Sequence, residues 1–109
     1  MSEKLELPQT IIALLKAQNE YDSIAYADLF ATDAIVHDEG KDYHGKNEIK
    51  KWNETTNGKY RVTLDPIEFR NDDKQCVLTV MATGNFDGSP APIKFNFTFE
   101  NEKIKTLKI

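Results

Sequence analysis

Apolar residues in the first third of the chain recur at three- and four-residue spacing, the pattern of a helix with one buried face. The first such face is formed by Leu7, Ile11, Leu14, Leu15 and Gln18. Pro8 suits the first turn of this helix, where its missing N–H costs no hydrogen bond. A second, shorter helix is predicted after an N-cap at Asp22-Ser23, with apolar positions at Ile24, Ala25, Tyr26, Leu29 and Phe30.

A short strand and a third helix are predicted next. The β-branched segment 34–38 indicates the strand, and the charged residues around Gly40 indicate a turn. The third helix is expected to follow Tyr43-His44-Gly45, with Asn47 as its cap, and to end at Asn57-Gly58. One face of this helix carries Ile49, Trp52 and Asn53.

Beyond Gly58 apolar and polar residues alternate, which is the period of a half-buried strand. Asp65-Pro66 interrupts the first alternating run, so we expect a bulge or an edge position there. Turns are predicted at 71–74 and Asn101-Glu102, and Asp87-Gly88 predicts a tight hairpin. The apolar positions of the strands are Tyr60, Val62, Leu64, Ile67, Phe69, Cys76, Leu78, Val80, Ala82, Gly84, Phe86, Ile93, Phe95, Phe97, Phe99, Ile104, Leu107 and Ile109.

Three helices followed by antiparallel strands predict an α+β fold, with the helices packed on one face of the sheet. The whole chain, 1–109, is short enough to form a single domain around one core. The opposite face of the sheet is neutral and β-forming, and such a surface favours contact with another sheet over contact with solvent. We therefore expect a homodimer through this face, which comprises Val77, Thr79, Met81, Thr83, Asn96 and Thr98.

Composition and charge narrow the classes of function. The net charge is −4, so the chain has no general attraction for phosphate backbones or anionic lipid, and neither nucleic acid nor a membrane is an expected partner. The single cysteine, Cys76, excludes an intramolecular disulfide and Cys-rich metal sites. Residues 1–6 lack the apolar segment of a secretory signal, and no apolar run approaches the roughly 20 residues that span a bilayer. A cytoplasmic location is therefore expected.

The segment Phe30-Ala-Thr-Asp-Ala-Ile-Val-His-Asp38, followed by Tyr43-His-Gly45, Ile49 and Trp52, resembles the nuclear transport factor 2-like superfamily. It is most similar to the SnoaL-like branch, which includes polyketide cyclases, and it also resembles ketosteroid isomerase. The similarity in layout extends from Leu7 to Ile109. The resemblance implies a curved sheet wrapped against helices to form a cone with one deep pocket, and it implies dimerisation through the sheet. It does not specify a reaction.

The resemblance carries over to some catalytic positions and not to others. The general base of the isomerase branch ends an Ala-x-Val-x-Asp strand and corresponds to Asp38, and the pocket aromatic of the third helix corresponds to Trp52. The two oxyanion donors of that branch fall near Leu14 and Phe95, whose side chains have no donor. Its two supporting tyrosines fall near Phe30 and Asn53. A steroid isomerase of that type is therefore not expected.

Asp38 is the leading candidate for chemistry, and strand alternation allows two interpretations of it. Ala34, Val36 and Asp38 share one side of the strand, so Asp38 enters an apolar cavity if the other two face the core. A desolvated carboxylate there would have a raised pKa and would act as a general base toward carbon. The alternative is an ordinary strand-end aspartate that accepts backbone N–H bonds and faces solvent.

Two histidines lie near Asp38 in the sequence. His37 points to the other side of the strand and is a weaker catalytic candidate, with a surface or interface histidine as the alternative. His44 lies in a loop that is placed to cover the mouth of the cavity. The acidic residues around these histidines lack the ligand spacing of known metal sites, so we predict neither a metal nor a cofactor.

The aromatic residues exceed what a three-helix layer over one sheet needs for its core, so we expect them to enclose a cavity. The alternative is a plain aromatic core. The residues predicted to bind a substrate in the cavity are Trp52, Tyr26, Phe30, Phe86, Phe95, Phe97, Phe99 and Tyr43, with Tyr43 at the rim.

Two classes of function are therefore open. The first is a small-molecule pocket protein of the SnoaL-like kind that acts as a cofactor-free acid–base enzyme: an isomerase, cyclase or dehydratase on an apolar carbonyl substrate. In that case Asp38 removes a proton from carbon, and the aromatic residues hold a small hydrophobic or aromatic molecule. The second is a non-catalytic ligand-binding or dimeric interaction domain, which the missing oxyanion donors favour.

Overall fold

The computed structural model describes residues 6–72 and 75–109. Within these residues three helices pack against one six-stranded sheet. The helices are α1 (Gln9–Asn19), α2 (Ser23–Asp28) and α3 (Gly45–Tyr60), and the strands are β1 (Phe30–Asp38), β2 (Lys41–His44), β3 (Thr63–Asp72), β4 (Gln75–Thr83), β5 (Ala91–Glu100) and β6 (Lys103–Lys108). The predicted α+β class is confirmed.

The sheet is curved and does not close, and its strands lie in the order β2-β1-β6-β5-β4-β3. All neighbouring strands are antiparallel except β1 and β6, which are parallel. This pair brings the last strand of the chain beside the first. β1, the strand that ends at Asp38, is therefore an interior strand, with β2 on one side and β6 on the other.

The first two helices agree with the predicted pattern except at one boundary. α1 buries Ile11, Leu14, Leu15 and Gln18. Asp22 caps α2 as predicted, since its Oδ1 accepts a hydrogen bond from the backbone N–H of Ala25 at 3.1 Å. Phe30 does not continue α2 but begins β1, because the backbone there pairs with β6: Phe30 lies opposite Ile104, whose N–H donates to the Leu29 carbonyl.

The middle of the chain differs more from the prediction. The segment before α3 forms the short strand β2, and α3 starts at Gly45 with His44, rather than Asn47, at its N-cap position. Gly58 does not end the helix, which runs on to Tyr60 and is terminated by the left-handed backbone of Arg61. Tyr60 therefore belongs to the helix and not to the following strand.

The strand region confirms one prediction and changes two. Pro66 lies on the edge strand β3 next to a shift in register, so both the bulge and the edge position are confirmed. Of the turn predicted at 71–74, Asn71 and Asp72 belong instead to β3 and pair with β4, and residues 73–74 lie outside the described residues. The tight hairpin predicted at Asp87-Gly88 is instead a longer connection over residues 84–90, and Phe86 lies in this loop rather than in a strand.

The core lies between the helices and the concave face of the sheet. Its largest fully buried side chains are Tyr26, Phe30, Phe97, Ile11, Leu14, Ile49, Leu78, Ile104, Leu107, Val36 and Val80. The outer face presents the predicted residues, most of them half-buried, but it is not neutral throughout. Glu68 and Lys94 lie opposite Thr79, Asp65 lies opposite Met81, Arg70 opposite Val77 and Lys108 opposite Asn96, so this face carries charges of both signs. None of the described helices has the length and apolarity needed to cross a bilayer.

Candidate functional site

A cavity of about 790 Å³ opens between the helices and the concave face of the sheet. Its walls come from all three helices and from strands β1 to β5. Six of the ten residues predicted for the site line this cavity: Tyr26, Asp38, Tyr43, Trp52, Phe86 and Phe95. The fold thus brings together residues that are separated by up to 69 positions in the sequence.

Three predicted phenylalanines are not among the residues that line the cavity. Phe30 is fully buried and packs against Tyr26, with ring centroids 5.5 Å apart. Phe97 and Phe99 follow Phe95 on the same side of β5. Their rings stack with centroids 6.0 Å apart, Phe97 within the core and Phe99 packed against it. The alternation correctly places Phe97 and Phe99 on the inner side of the sheet, but it cannot tell which stretch of that side faces the cavity.

His37 lies on the opposite side of β1 from Asp38, as the strand alternation predicts. Its Nδ1 contacts Oδ1 of Asp42 across the β1–β2 pair, and its side chain lines a groove on the outer face of the sheet with Asn96 and Thr98. The structure therefore separates His37 from the cavity. His44 is also not a cavity-lining residue, because it forms the N-cap position of α3.

The carboxylate of Asp38 enters the cavity from the end of β1. Ala34 and Val36 precede it on the same side of the strand and are fully buried, so the alternation points Asp38 inward. The indole Nε1 of Trp52 donates a hydrogen bond to Asp38 Oδ2 at 3.1 Å. Burial raises the pKa of Asp38, the bond from Trp52 opposes this rise, and the nearby charge of Glu39 adds to it.

Trp52 lies between two tyrosines in the wall of the cavity. Its ring centroid is 6.2 Å from that of Tyr26 and 5.7 Å from that of Tyr43. Burial, together with the charge of Asp38, raises the pKa of Tyr26, so its hydroxyl keeps its proton at neutral pH. The cavity therefore combines an apolar aromatic wall with a carboxylate and a phenol.

A buried amide network, not identified from the sequence, forms the polar part of the cavity between α1 and α3. Asn53 Nδ2 donates to Gln18 Oε1 at 2.8 Å, and Gln18 Nε2 donates to Asn57 Oδ1 and to the carbonyl of Val62, each at 2.8 Å. Ser23 Oγ donates to Asn53 Oδ1 at 2.7 Å. Gln18 and Asn53 line the cavity. The available signal was the amides at buried-face positions, Gln18 on α1 and, one turn apart, Asn53 and Asn57 on α3.

At the rim of the cavity, the backbone of the β4–β5 loop lies in close contact with the end of α3. A Cβ atom at Gly84 would lie 2.6 Å from the carbonyl oxygen of Tyr60, and the N–H of Asn85 donates to this same oxygen at 2.7 Å. The absence of a side chain at Gly84 thus lets Phe86 meet Tyr60 edge-on, with centroids 6.3 Å apart. The rim residues that carry a charge are Glu39, Asp42, Glu48, Lys51 and Asp87.

Across residues 6–72 and 75–109, no three His, Cys, Asp or Glu side chains form a group suited to hold a metal ion. The side chains of the cavity themselves offer a half-buried carboxylate of raised pKa, hydrogen-bond donors, and aromatic surface. Such a set can bind an apolar molecule and exchange a proton with it.

Known structures share this architecture. A candidate polyketide cyclase from Sinorhizobium meliloti is 27% identical and superposes with a TM-score of 0.89, over 94% of each chain. A protein with a ketosteroid isomerase-like fold from Catenulispora acidiphila, solved in complex with trimethylamine, is 19% identical with a TM-score of 0.79, over 94% of this chain and 85% of that one. A nuclear transport factor 2-like protein of unknown function from Cytophaga hutchinsonii is 11% identical with a TM-score of 0.78, over 99% and 91%.

No functionally curated protein shows significant sequence similarity to the chain. The family model of the SnoaL-like domain, however, matches residues 11–106. This match includes every strand that surrounds the cavity and the whole of α3. It agrees with the resemblance carried by the segment from Phe30 to Trp52, and the chain belongs to the SnoaL-like domain family.

Proposed function

We propose that this protein binds a small apolar or aromatic carbonyl compound in its cavity and catalyses proton transfer at the carbon next to the carbonyl group. Asp38 is the general base, and no cofactor takes part. The aromatic wall around Trp52 holds the substrate. Isomerisation, cyclisation and dehydration all share this step, so the proposal names the elementary reaction rather than one of the three.

The observation that carries the proposal is the position of Asp38. Its carboxylate is half-buried beside Trp52, and burial raises its pKa, which makes it a stronger base than an exposed aspartate. Within the described part of the chain, no group donates a hydrogen bond to its second oxygen, Oδ1. That oxygen is therefore free to accept a proton from a bound molecule.

The relatives support a small-molecule ligand. The Sinorhizobium meliloti protein, at 27% identity, is a candidate polyketide cyclase, and polyketides are chains of carbonyl groups. The Catenulispora acidiphila protein was crystallised with a small organic molecule, trimethylamine. These properties belong to the relatives, and they favour a small-molecule function for the present chain over a purely structural one.

Deuterium exchange tests the proposed proton transfer. In deuterium oxide, the protein is expected to accelerate exchange of the acidic methylene hydrogens of β-tetralone, an aromatic ketone, as followed by proton NMR. Asp38→Asn keeps an oxygen that can accept the Trp52 bond but removes the base, and should lower the acceleration by about 100-fold or more. His37→Gln, on the other face of β1, should leave it unchanged. Equal exchange by the wild type and Asp38→Asn would remove Asp38 from the mechanism.

A non-catalytic ligand-binding domain is the second candidate, and one observation favours it. The positions that correspond to the isomerase oxyanion donors hold Leu14, which is fully buried, and Phe95, which is apolar. A protein of this kind would bind β-tetralone, quenching the fluorescence of Trp52, without accelerating exchange. The same experiment therefore separates the two candidates.

We also propose that two copies pair through the outer face of the sheet. The uncharged row of this face is flanked by charges of both signs: Glu68 and Lys94 flank Thr79, and Asp65 lies opposite Met81. A twofold axis that runs along the strand direction through Thr79 would set Glu68 of one copy against Lys94 of the other. The family resemblance, which implies dimerisation through the sheet, points to the same face.

Size-exclusion chromatography with light scattering tests the pairing. The wild type should elute as a dimer at high micromolar concentration, and Met81→Lys, which places a charge at the centre of the face, should elute as a monomer. Ile24→Lys is the control, since Ile24 is 70% exposed on α2, away from the sheet. A wild-type monomer, or a dimer that Met81→Lys does not weaken, would contradict the proposal.

A further inference from the structure

We infer that Asn53 and Tyr26 together form the acceptor-binding site of the cavity, where they donate hydrogen bonds to the carbonyl oxygen of the bound molecule. The inference deepens the proposed function and rests on it. It supplies two donors for the developing oxyanion at positions that differ from Leu14 and Phe95, where the isomerase branch carries its own.

Both residues are buried, line the cavity and can donate a further hydrogen bond. Asn53 is 3% exposed and Tyr26 is 1% exposed. The amide nitrogen of Asn53 has two hydrogens, and among the described residues only Gln18 accepts from it. Within the same residues, no protein group pairs with the hydroxyl of Tyr26, and no side-chain N or O atom that is sealed from solvent lacks a partner, so this hydroxyl is open to the cavity. A carbonyl oxygen bound there can accept from both donors in place of water.

The hydrogen-bond partners of Asn53 determine which atom of its amide is the nitrogen and which is the oxygen. The backbone carbonyl of Val62 can only accept, so the atom of Gln18 that meets it must be the donor Nε2. Gln18 Oε1 then faces Asn53, and the atom of Asn53 that meets it must be Nδ2. Asn53 Oδ1 consequently faces Ser23 and Asn57, and both of these donate to it.

This orientation divides the cavity into an acceptor side and a donor side. Asp38 offers a carboxylate oxygen that only accepts, whereas Asn53 and Tyr26 offer N–H and O–H groups. A carbonyl compound fits both sides, with its oxygen at the donors and the hydrogen of the neighbouring carbon at Asp38. When Asp38 takes this proton, the C–H electron pair forms the new C=C bond and the carbonyl π pair moves onto oxygen. The two donors stabilise the resulting enolate until Asp38 returns the proton to carbon.

A pair of ligands with the same shape tests the donor site without depending on turnover. Acetophenone and α-methylstyrene differ only in a carbonyl oxygen and the methylene group that replaces it. Their dissociation constants are measured by quenching of Trp52 fluorescence, with calorimetry as a check. We expect the wild type to bind acetophenone about 25-fold more tightly than α-methylstyrene, since one hydrogen bond corresponds to about fivefold in affinity and the factors of the two donors multiply.

Tyr26→Phe removes one donor and keeps the ring, so it should reduce this preference about fivefold while leaving thermal stability equal or slightly higher. Tyr21→Phe, which removes a hydroxyl outside this cavity that donates to the Arg61 carbonyl, should retain the full preference. Asn53→Leu and Asn57→Leu each remove one amide of the same network, but Asn57 lines a different surface cleft. Only Asn53→Leu should lower the preference, whereas a purely structural role of the network predicts equal losses for both.

Three results would overturn the inference. Equal binding of the two ligands by the wild type would show that the cavity has no acceptor site, while the proposed ligand cavity would stand. Full retention of the preference in Tyr26→Phe and Asn53→Leu would place the acceptor site elsewhere. Binding of neither ligand up to the limit of its solubility would overturn both the inference and the proposed function.

Discussion

Replacing Gln18 by leucine should destabilise the protein strongly although the side-chain volume barely changes. Gln18 is 5% exposed and makes three hydrogen bonds: it donates to Asn57 Oδ1 and to the Val62 carbonyl, and it accepts from Asn53 Nδ2. Leucine makes none of them. Three polar groups at or near the floor of the cavity would then lose a partner that water cannot fully replace.

The magnitude follows from these three losses. A buried polar group left without its partner costs about 1 kcal/mol or more, so Gln18→Leu should lower the free energy of unfolding by about 3 kcal/mol. In a domain of this size such a change lowers the melting temperature by about 15 °C. Trp52, the single tryptophan, lies beside the network and reports unfolding by its fluorescence in urea or on heating.

The matched control is Gln9→Leu, the same substitution at the exposed first residue of α1. It removes no buried partner, so the free energy of unfolding should change by less than about 0.5 kcal/mol. If Gln18→Leu costs no more than Gln9→Leu, or stabilises the protein, the network does not contribute to stability. The argument that the network also orients Asn53 would then fail.

Further substitutions test the carboxylate and the rim. Asp38→Asn should stabilise the protein at neutral pH, because folding raises the pKa of Asp38; the gain should shrink as pH falls toward the ordinary value of 3.8, as urea unfolding against pH would reveal. Trp52→Phe removes the bond that lowers this pKa, so carbon NMR of the Asp38 carboxyl should show a further rise, and an unchanged value would contradict the role of the indole. Gly84→Ala should cost about 1–3 kcal/mol in thermal unfolding, because its Cβ would meet the Tyr60 carbonyl at 2.6 Å. Gly58→Ala, with open space around it, should instead stabilise α3 by about 0.5–1 kcal/mol.

The elements that follow a single strong period could be predicted from the sequence. The buried face of α1, the cap at Asp22 and the alternation of β4 and β5 all appear in the structure. These features depend on residues close together in the chain, where side-chain period and capping chemistry act directly. The same is true of β1, whose alternation turns Asp38 inward and His37 outward.

The element boundaries that were predicted wrongly from the sequence depend on contacts with distant parts of the chain. Phe30 leaves the pattern of α2 because β6, which follows it by more than 70 residues, pairs with its backbone. Gly58 lies within α3, although a glycine often ends a helix, and the helix stops only at the left-handed Arg61. The parallel pairing of β1 with β6 is likewise a property of the assembled sheet, since no local signal specifies which strand lies beside which.

By itself, the sequence determined the α+β class, the family and the inward direction of Asp38, because periodicity and a short motif are local. Only the tertiary structure decided which aromatic side chains line the cavity and which fill the core, since this depends on where the helices cover the sheet. It also decided the role of Gln18 and Asn53. Gln18 lies among apolar residues of α1, and Asn53 lies one turn from Asn57 on α3. Only the tertiary structure brings Gln18 and Asn53 together as hydrogen-bond partners, and a buried polar group needs such a partner.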